Sequence, residues 1–139
     1  MSFTHTNSLN RYGIAPLIVA TDPANGSHTT LASALAAATS GQTVFLRDSV
    51  TEDVTLPTNI NIASWDSASD NTPSITGLIT LAGGATTINT LSGIRLVTNG
   101  NYFLFVTGTS SVKINLNNCY LDCADENGIL SSNSNADSV

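Results

Sequence analysis

The sequence predicts an all-β fold: a short right-handed parallel β-helix, or solenoid, with a capping α-helix at its N-terminal end. Three observations predict it. Leu91, Ile94, Leu96 and Leu104 are echoed by Leu116, Cys119, Leu121 and Ile129, each about 25 residues later. A period of that size, built from short strands, marks a solenoid or array. A single segment, Thr30–Thr39, has helical periodicity, and everything after Arg47 is strand-like. Charged residues make up only 10% of the chain while hydrophobic ones stay at 41%, which suits a β-body whose polar faces are uncharged rather than a disordered chain. With two or three strands per period, each turn stacks on the last at about 4.8 Å and the inward side chains form apolar columns.

Taken in order, residues 1–26 read as an N-terminal strap. Ile14–Ala20 has the look of an edge strand, where Pro16 is tolerated because an edge amide need not pair. Asp22-Pro23-Ala24-Asn25-Gly26 is a turn cluster. Residues 27–139 hold the capping helix and the β-helix turns. Leu31, Ala34, Leu35 and Ala38 fall on one helical face, Thr29 or Thr30 can accept from the first-turn amides, and Gly41 is the expected stop.

Strand-like runs follow at Val44–Arg47, Val54–Leu56, Ile60–Ala63, Ile75–Leu81, Thr86–Leu96, Tyr102–Val106, Val112–Leu121 and Gly128–Leu130, separated by Ser/Thr/Asn/Gly corners. Short strands so spaced also describe a sandwich or jelly roll. The helix decides between them. A solenoid has an end whose unpaired backbone must be covered, and an Ala/Leu-faced helix directly before the first strand suits that task.

Residues 28–62, HTTLASALAAATSGQTVFLRDSVTEDVTLPTNINI, resemble the opening of the pectin-lyase-like β-helix superfamily, in which a helix of pattern Y-T-T-I-x-x-A-I-x-A-A precedes G-D-T-V-x-V-x-x-G-x-Y-x-E-x-V. Together with the MSFTHTNSLNRYGIAPLIV lead, the chain also resembles bacteriophage tail-fibre or tailspike-type components. The first resemblance implies a structural place for Glu52 and Asp53, where the pattern has its own Glu. Enzymes of that superfamily work through outward residues of the central turns, and no counterpart of the esterase motifs is present. The second resemblance implies a trimeric fibre component, with other virion proteins as partners and a cell-surface glycan as a further one.

The chemistry-bearing residues are few. Arg95 is the one arginine in the repeat region, with Tyr120 as its column neighbour one turn on and no paired carboxylates expected beside it. It reads as a solvated outward residue. Asp122, Asp125, Glu126 and Asn127 form the densest acidic patch, but their spacing matches no calcium loop. Asp66 and Asp70 read as solubilising loop residues. His5 and His28 have no metal-ligand or triad partner at suitable spacing. No catalytic residue, metal or cofactor is therefore expected.

Trp65 beside Asp66 in the polar loop is the binding candidate, either stacking on a sugar, meeting a neighbouring subunit or folding back within the chain. Tyr102, Phe103 and Phe105 form an aromatic cluster with the core favoured for Phe103 and Phe105. Cys119 and Cys123 on one strand would be roughly 13 Å apart, too far for a disulfide unless a turn intervenes.

Four basic and ten acidic residues give a net charge of −6, which argues against nucleic acid and anionic membranes as partners. No apolar run is long enough to span a bilayer, and MSFTHTNSLNRYG lacks the features of a secretory signal. The outward positions Thr80, Thr87, Asn89, Asn115 and Asn117 are polar and uncharged, better suited to stacked ladders than to catalysis.

The last residues, SSNSNADSV, show no capping segment, so the reading expects either a longer natural chain or a subunit covering that end, as in a homo-oligomer. The expected role is a structural, non-enzymatic virion protein of a phage tail. The alternatives are the N-terminal part of a polysaccharide lyase or esterase, or a carbohydrate-binding module.

Overall fold

The computed structural model describes residues 16–65, 72–82, 88–98, 104–107, 113–123 and 129–131. A first strand, β1 (Leu17–Val19), is followed by α1 (Leu31–Ala37). Four strand triplets then succeed one another. Coil 1 is β2 (Thr43–Leu46), β3 (Val50–Thr51) and β4 (Val54–Leu56); coil 2 is β5 (Asn61–Ser64), β6 (Ser74–Thr76) and β7 (Ile79–Ala82). Coil 3 is β8 (Ile88–Ser92), β9 (Arg95–Val97) and β10 (Leu104–Thr107); coil 4 is β11 (Lys113–Asn117), β12 (Tyr120–Asp122) and β13 (Ile129–Ser131).

Corresponding strands of successive coils pair in parallel, so three sheets form three walls. Wall A runs β1-β2-β5-β8-β11, wall B runs β3-β6-β9-β12, and wall C runs β4-β7-β10-β13. A strand that returns to its own neighbour only after visiting two other walls makes a β-solenoid, and the facing-sheet sandwich is set aside by the parallel register. The expected stack is realised residue for residue: Leu91 pairs with Leu116, Leu96 with Leu121 and Leu104 with Ile129.

Inward positions form continuous columns. Val44, Ile62 and Leu91 line wall A, Ile75 and Leu96 line wall B, and Ile79 and Leu81 line wall C, all with almost no exposed surface. This burial of branched side chains supplies the main favourable term for folding. β1 lies at the edge of wall A.

Three of the expected strands are each broken in two. The breaks fall at Gly77 (φ 145), Gly93 (φ 67) and Asn118 (φ 56), conformations that glycine and asparagine adopt far more readily than other residues. Gly93 and Asn118 occupy the same corner in successive coils, joined by a bond from Gly93 N–H to the Asn117 carbonyl (3.0 Å). There the chain turns from wall A to wall B. The run therefore bends at this corner instead of continuing as one straight strand.

α1 is shorter than its pattern. Thr30 is the N-cap, its Oγ1 accepting from Ser33 N–H at 3.2 Å, and the helix gives way to extended backbone at Ala38. Gly41 lies three residues further on with φ 91. Leu31, Ala34 and Leu35 are buried, and the helix touches β1, β2 and β4.

One outward assignment is corrected. Asn89 is buried, because its Nδ2 donates to the carbonyls of Pro57 (2.8 Å) and Ile60 (2.6 Å) at the corner of the coil below. The Pro57 carbonyl also accepts from Ile60 N–H (3.3 Å), and the two amide hydrogens of Asn89 can serve both carbonyls at once. Thr80 is half-buried in β7, Asn115 and Asn117 are exposed in β11, and Thr87 lies outside the described residues.

Candidate functional site

Trp65 follows β5 directly, its N–H donating to the Leu46 carbonyl (2.9 Å), so wall A extends one residue beyond the strand. Its half-buried ring meets Phe45 of the coil below edge-on, with centroids 5.5 Å apart and planes at 78°. This is a favourable T-shaped arrangement, and it engages the tryptophan within the chain. Asp66, its expected companion, lies outside the described residues, as do Asp70, Asp125, Glu126, Asn127, Tyr102, Phe103 and His5.

Phe105 falls in register with Thr55 and Thr80, not with the inward columns of Ile79 and Leu81.

Wall B carries one group of charged and aromatic side chains. Ser74, Arg95 and Tyr120 form one outward column, and Thr76, Val97 and Asp122 form the next. Arg95, exposed as expected, ion-pairs with a single carboxylate, that of Asp122. The pairing arises because a parallel stack sets Asp122 one coil on and two residues along from Arg95, on the same side of the wall. The guanidinium also sits 5.2 Å from the centroid of the Tyr120 ring, a cation–π contact. Arg95 is thus occupied on two sides. An exposed pair of this kind contributes little to stability.

A second charged group gathers where coil 1 turns from wall A through β3. The Glu52 carboxylate accepts from Leu31 N–H (2.7 Å) and Ala32 N–H (3.1 Å), meeting two first-turn amides of α1. Helix N-termini leave such donors unpaired and carry partial positive charge. Asp48 Oδ2 accepts from Thr21 N–H (2.8 Å) and Thr21 Oγ1 (2.9 Å), and Arg47 donates to the Asn25 carbonyl (3.3 Å). Asp53 instead accepts from Leu78 N–H (2.8 Å) in the next coil.

These roles escaped sequence reading because each joins residues 20 or more apart. A 27-residue offset, one coil plus two residues, applied to outward positions finds the Arg95–Asp122 pair. No local pattern points from Glu52 to Leu31.

His28 accepts or donates through Nδ1 to Ser27 Oγ (2.9 Å) and forms a bridge with Val19 just ahead of the helix. Cys119 and Cys123 are free thiols packed against the core, and Cys119 Sγ lies 3.2 Å from the Leu91 carbonyl it donates to. Among the described residues, no group of three His, Cys, Asp or Glu side chains could hold a metal ion, and no helix is long and apolar enough to cross a membrane. No family model, curated protein or solved structure matches the chain.

Proposed function

We propose that this chain is a structural module: a right-handed parallel β-helix, capped at its N-terminal end by α1, that serves as a non-enzymatic component of a phage virion such as a tail fibre, tailspike or baseplate-associated protein. The observation that carries the reading is the outward surface of the stacked walls. Thr43 with Asn61, Thr90 with Asn115, Ser92 with Asn117, and Thr51 with Thr76 stand in register from coil to coil. Such ladders of short uncharged side chains stiffen a coil and leave a flat face.

Right-handedness follows from the strong chirality of parallel strand crossovers. The capping role draws on the apolar face of α1, which meets two of the three walls at coil 1. The virion role draws on the resemblance of residues 28–62, and on the tailspike-like lead before them.

In this reading the molecule associates as a homotrimer with other virion proteins. Size-exclusion chromatography with light scattering on the whole chain tests the assembly, with a trimer expected and a monomer contradicting it. A depolymerisation assay against bacterial surface polysaccharides tests the absence of catalysis, with no new reducing ends expected. Release of oligosaccharides would favour a lyase or hydrolase instead.

A further inference from the structure

The N-terminal segment is fastened to the coils in an uneven way. β1 pairs with β2 alone, and α1 touches β1, β2 and β4. Among the described residues, its side-chain bonds to the coils come from Arg47, Asp48 and Glu52, all between β2 and β4. Two carboxylates receive four donors: Thr21 N–H and Oγ1 on Asp48, and Leu31 and Ala32 N–H on Glu52. Asp53, their neighbour, faces the other way and binds Leu78 of coil 2. The connector between α1 and β2 is pinned separately, by Gly41 N–H to the Asn59 carbonyl (2.8 Å), Asn59 Nδ2 to Ser40 Oγ (2.8 Å) and Asn61 N–H to the Gln42 carbonyl (3.0 Å), which marks the end of the strap.

We propose that residues 17–38 form a strap closed on coil 1 by a carboxylate clasp, Asp48 and Glu52, and that the strap lifts as one unit while coils 2 to 4 stay folded. Among the described residues, the strand pairing and side-chain bonds that hold it are made to coil 1, so releasing them leaves the parallel ladders between coils intact. Regions with few ties to the rest of a fold open at lower free energy than its centre. Lifting bares the β2 edge, a row of unpaired backbone groups able to accept a parallel strand from another chain.

Hydrogen exchange read by mass spectrometry on the full chain tests the proposal. In the native chain, amides of 17–38 exchange faster than those of β5 and β8. Asp48→Asn with Glu52→Gln accelerates 17–38 by about 10- to 100-fold, as expected for losing hydrogen bonds to charged groups, and shifts β5 and β8 by less than about 2-fold. Equal acceleration everywhere would show that the strap and coils open together, and no acceleration would show that the carboxylates do not close it; either overturns the proposal. Should the double variant fail to fold, Thr21→Val keeps both carboxylates and removes one donor, and a smaller acceleration confined to 17–38 is expected. Asp53→Asn is the control: it accelerates exchange around Leu78 and not the strap, and the opposite pattern contradicts the assignment.

Discussion

Leu96 and Leu121 are in-register partners on wall B, 25 residues apart, yet Leu96 is fully buried while Leu121 is 44% exposed. The same residue type in the same column thus meets two environments, one between coils and one on the outermost strand of its wall. This difference sets the energetic gradient along the stack.

Truncating the two leucines measures that gradient. Leu96→Ala removes a side chain enclosed by coils 2 and 4 and costs about 2–5 kcal/mol. Leu121→Ala costs about 1 kcal/mol, since much of its surface already meets water. Urea unfolding of the two variants checks the ranking, and equal losses would contradict the placement of Leu121 at the end of wall B.

Asn89 is predicted to be intolerant of apolar replacement despite its small size. Asn89→Leu strips the buried Ile60 carbonyl of the Asn89 donor, while the Pro57 carbonyl keeps Ile60 N–H, and costs about 1–3 kcal/mol, roughly one unsatisfied buried acceptor. Asn89→Asp is worse at neutral pH, where a carboxylate would face two carbonyl oxygens. Its folded-state pKa is raised, so the deficit grows as pH rises through the ordinary aspartate value of about 3.9 and shrinks below it. Thermal melts at pH 3 and pH 7 read the difference.

Two glycines with positive φ should respond very differently to alanine. At Gly77 a Cβ would lie 2.1 Å from the Glu52 carbonyl oxygen, and φ is +145. Gly77→Ala therefore forces the backbones of two coils apart and costs about 3 kcal/mol or more. At Gly41 nothing lies within 4 Å of the added atom, so Gly41→Ala pays only the conformational term, about 1–2 kcal/mol. Chemical denaturation of both variants gives the comparison.

Thr30→Ala tests the helix start. Loss of the bond to Ser33 N–H costs about 1 kcal/mol, and Thr30→Ser or Thr30→Asp recovers most of it. Circular dichroism melts that show no loss for alanine would place the functional cap elsewhere.

Much of this architecture was legible in coils 3 and 4. There Leu91 is followed by Leu96 after five residues and Leu116 by Leu121 after five, so the 25-residue period stands out. Coil 2 hides it: Ile75 follows Ile62 after thirteen residues, because β5 ends at Ser64 and β6 begins only at Ser74. The two-residue strand β3 (Val50–Thr51) was missed for a related reason, having too little sequence to show alternation. Asn89 reads as outward from its neighbours' polarity, and only the carbonyls of a coil 29 residues earlier turn it inward. The Arg95–Asp122 pair and the Glu52 contact with α1 likewise depend on proximity created by coiling.

The most direct test of the stacked coil is backbone NMR on the isotope-labelled chain. The account predicts interstrand Hα-to-HN contacts linking β8 to β11, β9 to β12 and β7 to β10, each at a 25-residue offset, with no close Hα–Hα pairs between them. Strong Hα–Hα contacts, the mark of antiparallel neighbours in a sandwich, would contradict it.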